Sequence, residues 1–125
     1  MAVLYSEVLL NHFRHPRNYG SLDDPDISNE QFNPLCGDRI RIELKLDGTV
    51  VKEARFKGDG CAISTAAASL LTELLIGASL ADVGSISNER LISALESDIK
   101  PAREQCALLA LEALRDGLRA TNFHE

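Results

Sequence analysis

Apolar and polar residues alternate most cleanly in the stretch RIRIELKL. Ile40, Ile42, Leu44 and Leu46 alternate with Arg39, Arg41, Glu43 and Lys45, a period of two that predicts a strand with one dry and one wet face. The DGT that follows predicts a tight hairpin, with Asp47–Gly48 as a type I′ pair. VVKEARFKG returns as the partner strand, with Val51, Ala54 and Phe56 among its apolar positions. Its alternation is less regular, which predicts a bulge. Upstream, Tyr5, Val8, Leu9 and Phe13 share one face of a helix over about residues 4–15, and Pro16 ends it. HPRNYGSLDDPDISNEQFNP is rich in turn formers and predicts a long loop, within which Ile27 and Phe32 anchor a short edge strand.

Beyond the hairpin the period changes to that of helices. Ile63, Ala67, Leu70, Leu71 and Leu74 mark a broad face from Cys61 to Ile76, and Gly77 supplies the stop. Ala66, Ala67 and Ala68 keep its first half thin enough to lie close on a sheet. Ser79 predicts the cap of a short helix around Leu80–Val83, and Ser87 or Asn88 the cap of another. A last helix starts near Pro101 and carries Leu108, Leu111, Leu114 and Leu118 on one face. The sum is α+β: a small antiparallel sheet of about three strands packed with about five helices, expected as a single domain over 1–125.

Composition narrows the function. Apolar residues make up 45% and charged residues 26%, a balance that excludes a disordered chain. The net charge of −6 and the scattered Lys and Arg exclude a nucleic-acid binder, which needs a basic face. The longest apolar runs are too short and broken to span a membrane, and the N-terminus lacks the pattern of a signal peptide. Three cysteines is an odd number, which argues against a disulfide framework and for a reducing compartment. The expected location is therefore the cytoplasm.

The three cysteines hold the candidate chemistry. Cys36 stands in NPLCGD before the first confident strand, Cys61 at the start of the long helix, and Cys106 in the first two turns of the last. No CxxC is present, so a shared site would have to be assembled by the fold. The hairpin makes that possible, because Cys36 precedes one strand and Cys61 follows its partner, which puts both at one end of the sheet. A thiolate at a helix N-terminus, as at Cys61, is favoured by the helix dipole. Asp38, two residues past Cys36 on an extended chain, lies on the same side as the thiol. Three thiolates and a carboxylate complete a four-coordinate zinc site, or hold iron with one labile position. Arg103, three residues before Cys106, is placed to stabilise a thiolate or persulfide, or to pair with Asp38. Each residue also has a plainer reading: Cys106 as a core hydrophobe, Asp38 as a turn former, Arg103 as a solvated helix charge. Gly58 and Gly60 read equally as a strand-to-helix connection, and His12 and His15 as helix-end or core residues rather than ligands. Spacing alone leaves the shared site and the plain readings level.

NPLCGD, GDGCAIS and PAREQC resemble, in order and separation, the three cysteine motifs of the NifU/IscU/SufU-type iron–sulfur cluster assembly scaffolds. YSEVLLNHFRHPRNYG resembles the family's N-terminal helix and turn, so the likeness runs from Tyr5 to about Leu118. The resemblance implies a small antiparallel sheet with helices and the cysteines gathered at one end. It also implies Cys36, Asp38, Cys61 and Cys106 as ligands of Zn2+ or of a transient [2Fe–2S] cluster. Its implied partners are a PLP-dependent cysteine desulfurase, which donates persulfide sulfur, and the apo iron–sulfur proteins that receive the cluster. On this reading the chain is a scaffold or sulfur carrier rather than an enzyme in the ordinary sense. Cys36 is the candidate persulfide carrier, Cys106 the alternative, and Arg103 a contact to thiolate or partner. Two departures matter. Gln105 stands where IscU-type members carry a histidine, and DIKPAR stands where they carry the segment read by an Hsp70-type chaperone, so that partnership is not expected. The motifs are nearer the SufU type, which binds zinc through three Cys and one Asp as a sulfur acceptor. The length is nearer the IscU type, and so both a cluster scaffold and a zinc-dependent sulfurtransferase partner stand.

Overall fold

A computed structural model describes residues 5–121. Three strands, β1 (Ile27–Asn33), β2 (Asp38–Asp47) and β3 (Val50–Asp59), form an antiparallel sheet in the order β1-β2-β3. Five helices accompany it among the described residues: α1 (Glu7–Arg14), α2 (Ala62–Leu75), α3 (Leu80–Gly84), α4 (Asn88–Ala94) and α5 (Glu104–Ala120). A single 3₁₀ turn, Pro101–Arg103, leads into α5. The α+β expectation holds, including its strand and helix numbers.

The sheet lies against α2 and α5. Ile27, Ile40, Ile42, Leu44, Val51, Ala54 and Phe56 are buried on the covered face, joined by Leu71, Leu75, Leu109, Leu111 and Leu114 from the two helices. The irregular pattern of β3 has the expected cause. Lys45 pairs with Glu53, but Leu46 pairs with Val51, so Lys52 is an extra residue. That bulge turns Val51 onto the same face as Ala54 and Phe56. The hairpin differs in one detail. Asp47 pairs with Val50, so the loop is Gly48–Thr49 rather than Asp47–Gly48. A type I′ turn needs positive φ at both central residues. Gly48 has φ 63° and Thr49 is not positive, which is the glycine-first arrangement of type II′.

The free edge of β3 is covered rather than exposed. Phe56 donates its N–H to Asn18 O and accepts from Gly20 N–H, at 3.0 and 2.9 Å. Further along, Val51 bonds Ala78 O and Gly77 N–H. Such cover removes an edge that would otherwise recruit another strand. Asn18 holds φ 59°, a left-handed conformation that asparagine tolerates, and its side-chain amide donates to Thr72 Oγ1 at 3.0 Å. Helix caps follow the sequence: Ser79 accepts from Asp82 N–H, and Ser87, not Asn88, accepts from Arg90 N–H. Gly77, φ 88°, stops α2 as expected.

Helix α1 docks on a different face than its apolar pattern predicts. Its expected start at Leu4 lies outside the described residues. Leu9 is fully buried, but Phe13 is 42% exposed, and His12 takes the inner position. The reason is polar. Arg17 N–H donates to Ser69 Oγ at 2.8 Å, and His12 Nδ1 lies 2.7 Å from the same oxygen. Because Ser69 Oγ already accepts, its proton goes to Nδ1, which leaves Nε2–H toward Glu73 at 3.3 Å. The array resembles a serine–histidine–acid triad in partners only. Ser69 is 0% exposed, so no substrate reaches its oxygen. The core reading of His12 is the correct one.

Burial, and then the Arg17 charge, push His12 below its ordinary value against the opposing pull of Glu73. The neutral ring is thus the folded form. Its contribution to stability is full above the unfolded value of about 6.5 and is lost as pH falls through the lower folded value. Urea unfolding across that range is expected to show stability falling with pH in the wild type and falling less in His12→Asn, which keeps an acceptor for Ser69. Equal pH slopes in the two proteins would contradict this role.

Candidate metal centre

Three junctions of the fold converge at one end of the sheet. The first is the loop between β1 and β2. Asn33 pairs with Asp38, which leaves Pro34–Gly37 as the turn. Asn33 builds it twice over: its Oδ1 accepts from Leu35 N–H at 3.0 Å and its carbonyl from Gly37 N–H at 2.8 Å. Gly37, φ 78°, closes the turn in a conformation other residues avoid. Cys36 is therefore held out at an exposed tip, while Asp38, two residues on, is only 6% exposed.

The second junction joins β3 to α2. Arg39 pairs with Asp59, so β3 ends beside the start of β2. A β-carbon on Gly58 would lie 1.9 Å from Arg39 O, so only glycine permits that approach. Cys61 then caps α2, its Sγ accepting from Ser64 N–H at 3.5 Å. The third junction is the start of α5, where Cys106 is 3% exposed.

Cys36 Sγ and Cys106 Sγ are 3.8 Å apart, and both thiols are free. One ligand atom from each of Cys36, Asp38 and Cys106 lies within 4.8 Å of the others. Two sulfurs bound at about 2.3 Å to one tetrahedral ion are themselves about 3.8 Å apart. The spacing found is thus that of a tetrahedron's edge. Cys61 adjoins this set but is outside it, because its sulfur is turned to cap α2. Asp38 Oδ2 is buried with no hydrogen-bond partner. An orphaned carboxylate oxygen in a dry site is costly unless a cation or donor meets it. The donor set therefore fits zinc or iron: soft thiolates with one oxygen.

The electrostatics point the same way. Burial pushes the Cys106 thiol up to about 12, aided by the nearby Cys61 charge and by contact with Cys36. Without a cation, the gathered sulfurs hold protons rather than charge. For Asp38, burial acts upward, but hydrogen bonding from the Ser64 side chain, from the Cys36 thiol and from Cys61 outweighs it, and its carboxyl lies below the ordinary value. None of these donors closes on Oδ2. Arg103 is turned toward the sulfurs, to Cys61 first and then Cys106, and their proximity raises it further. The expected pairing of Arg103 with Asp38 is not formed, since Cys61 lies nearer along the helix start.

Other sequence candidates stay apart. His12 is committed to Ser69 and Glu73, and His15 ends α1. Gln105 is exposed. Two residues of the site escaped sequence reasoning. Asn33 carried a signal, the Asn-Pro pair that starts turns. Ser64 carried none, because a serine three residues past a helix cap looks like any first-turn polar residue.

A NifU-like N-terminal domain model matches residues 4–124. The chain is 39% identical to the zinc-dependent sulfurtransferase SufU of Bacillus subtilis, covering 92% of this chain and 89% of that one. It is 37% identical to the iron–sulfur cluster assembly scaffold protein IscU of Thermotoga maritima, covering 94% of each. Those alignments span 132 and 133 positions, more than the 125 residues of the chain. Relatives under both names thus carry extra residues, and length does not separate the two types. A NifU-like N-terminal structure from Brucella abortus superposes with a TM-score of 0.79 at 21% identity over 96% of this chain and 95% of that one, a likeness of fold. The chain belongs to the NifU-like N-terminal domain family.

Proposed function

We propose that this chain, as one domain over 1–125, is an iron–sulfur cluster assembly scaffold that works in the cytoplasm. It takes sulfur from a PLP-dependent cysteine desulfurase, holds iron through Cys36, Asp38, Cys61 and Cys106, and passes a [2Fe–2S] cluster to apo-proteins. The observation that carries this is the 3.8 Å spacing of Cys36 and Cys106 beside a buried, unpartnered carboxylate oxygen. A purely structural zinc site is less well supported. The hydrophobic core is continuous without an ion, and a site with one exposed thiol and one weakly held oxygen ligand suits loading and release. Among the described residues no helix is long and apolar enough to cross a membrane.

Exposure divides the thiols by role. Cys36 stands at the tip, next to Leu35, which is 85% exposed, and Phe32, which is half exposed. Those apolar side chains give a partner protein something to cover. A Cys36 thiolate attacks the outer sulfur of the desulfurase persulfide. The S–S bond there breaks, the desulfurase thiolate leaves, and Cys36 carries the persulfide. Cys106, buried and high in pKa, is the poorer nucleophile. Arg103, turned toward Cys61 and Cys106, offsets negative charge as the thiols ionise.

A second reading keeps the same sulfur chemistry but makes zinc the resident ion and the chain a sulfur acceptor that never holds a cluster. Gln105 favours it, since no histidine stands beside Cys106 to join an iron site. Zinc, once bound, keeps its thiolate ligands deprotonated near neutral pH.

Anaerobic incubation with iron, cysteine and a desulfurase separates the two. A scaffold is expected to develop thiolate-to-iron charge-transfer absorption in the visible. A colourless protein that keeps its zinc and still stimulates the desulfurase would overturn the scaffold reading in favour of the second. In a single-turnover reaction with persulfidated desulfurase, mass spectrometry is expected to find the extra sulfur on Cys36. Cys36→Ser is expected to lower acceptance at least about tenfold, in line with the loss of a principal nucleophile. Persulfide found first on Cys106 would contradict the assignment.

A further inference from the structure

Ser64 sits at the third position of α2 and is 1% exposed, a buried hydroxyl between two candidate ligands. Its N–H donates to Cys61 Sγ at 3.5 Å. Its Oγ donates to the Cys61 carbonyl at 3.2 Å. A β-carbon on Gly60 would lie 2.2 Å from that Oγ, so the absence of a side chain at Gly60 is what leaves the hydroxyl its place. On the other side stands Asp38, whose Oδ2 is buried and unpartnered. The Ser64 side chain is foremost among the donors around that carboxylate.

We propose that Ser64 is a positioning residue of the metal centre, aiming Asp38 with its hydroxyl and Cys61 with its backbone N–H. The inference rests on the metal-centre reading above and deepens it. A carboxylate that binds an ion through one oxygen needs a donor on the other, or it rotates. Such partners fix ligand orientation, and losing one costs about 10–100-fold in metal affinity. The hydroxyl has two acceptors in reach, a carbonyl and a carboxylate. A bond to the charged acceptor is about twice as strong, so a short turn of Oγ from Cys61 O to Asp38 is downhill once the carboxylate is bound to an ion. The N–H bond to sulfur needs no change, since a metal-bound thiolate still accepts it. One residue thereby couples the β1–β2 loop to the start of α2.

The test is a double-mutant cycle on the full chain: wild type, Ser64→Ala, Asp38→Ala and both together. Zinc affinity is measured by competition with a chromophoric chelator, and geometry by the absorption of the Co2+-loaded protein. Ser64→Ala is expected to weaken zinc binding about 10–100-fold. It should keep the thiolate-to-cobalt bands and shift the d–d bands, which report the carboxylate. In the Asp38→Ala background the same change is expected to matter within about twofold. An unchanged affinity and spectrum in Ser64→Ala, or an equal loss in both backgrounds, would overturn the role. Gly60→Ala supplies a second variant that keeps the hydroxyl but drives it from its place. It is expected to show the same d–d shift, and an unshifted spectrum there would also overturn the role. A wild type without thiolate-to-cobalt bands would overturn the metal centre itself, and the role of Ser64 with it.

Discussion

The register of one hairpin governs this molecule. Because Arg39 faces Asp59 across β2 and β3, the residue before one strand and the residues after the other meet at the same end of the sheet. Asp38 and Cys61 are neighbours for that reason alone. A one-residue slip would turn Ile40, Ile42 and Leu44 to solvent and move Asp38 off the site. Core and chemistry are thus set by the same pairing, and Gly58 guards it, since any side chain there would collide with Arg39 O.

The site so formed is strained electrostatically rather than sterically. Three thiols and a carboxylate share a few ångströms, with Arg103 as the nearby cation. Proton retention on Cys106 and an unpartnered Oδ2 on Asp38 are two forms of the same deficit of positive charge. A divalent ion removes both. The deficit is tolerable because the hydrophobic core, with α2 and α5 packed on the sheet, does not pass through the site. A fold that stands without its ion can give the ion up, which a carrier requires and a structural zinc domain does not.

Much of this was legible in the sequence because the periods were unambiguous. The alternation of residues 39–46 and the capped helix starts at Ser79 and Ser87 specify their elements locally. The shared end of the hairpin was legible for the same reason, and with it Cys36, Asp38 and Cys61. What local pattern does not specify was missed. Phe13 was expected inside α1, but the buried position went to His12, because Ser69, 57 residues away, offers it a hydrogen bond. The hairpin turn moved by one residue because the bulge at Lys52 reset the pairing of β3. Ser64 escaped notice because its importance comes from Gly60 and Asp38 together, and Asp38 reaches it only through the fold.

X-ray absorption at the zinc edge of the zinc-loaded protein tests the shared centre most directly. Three sulfurs at about 2.3 Å and one oxygen at about 2.0 Å are expected, supplied by Cys36, Cys61, Cys106 and Asp38. A shell of nitrogen and oxygen with one sulfur or none would contradict a centre built from the three converging cysteines.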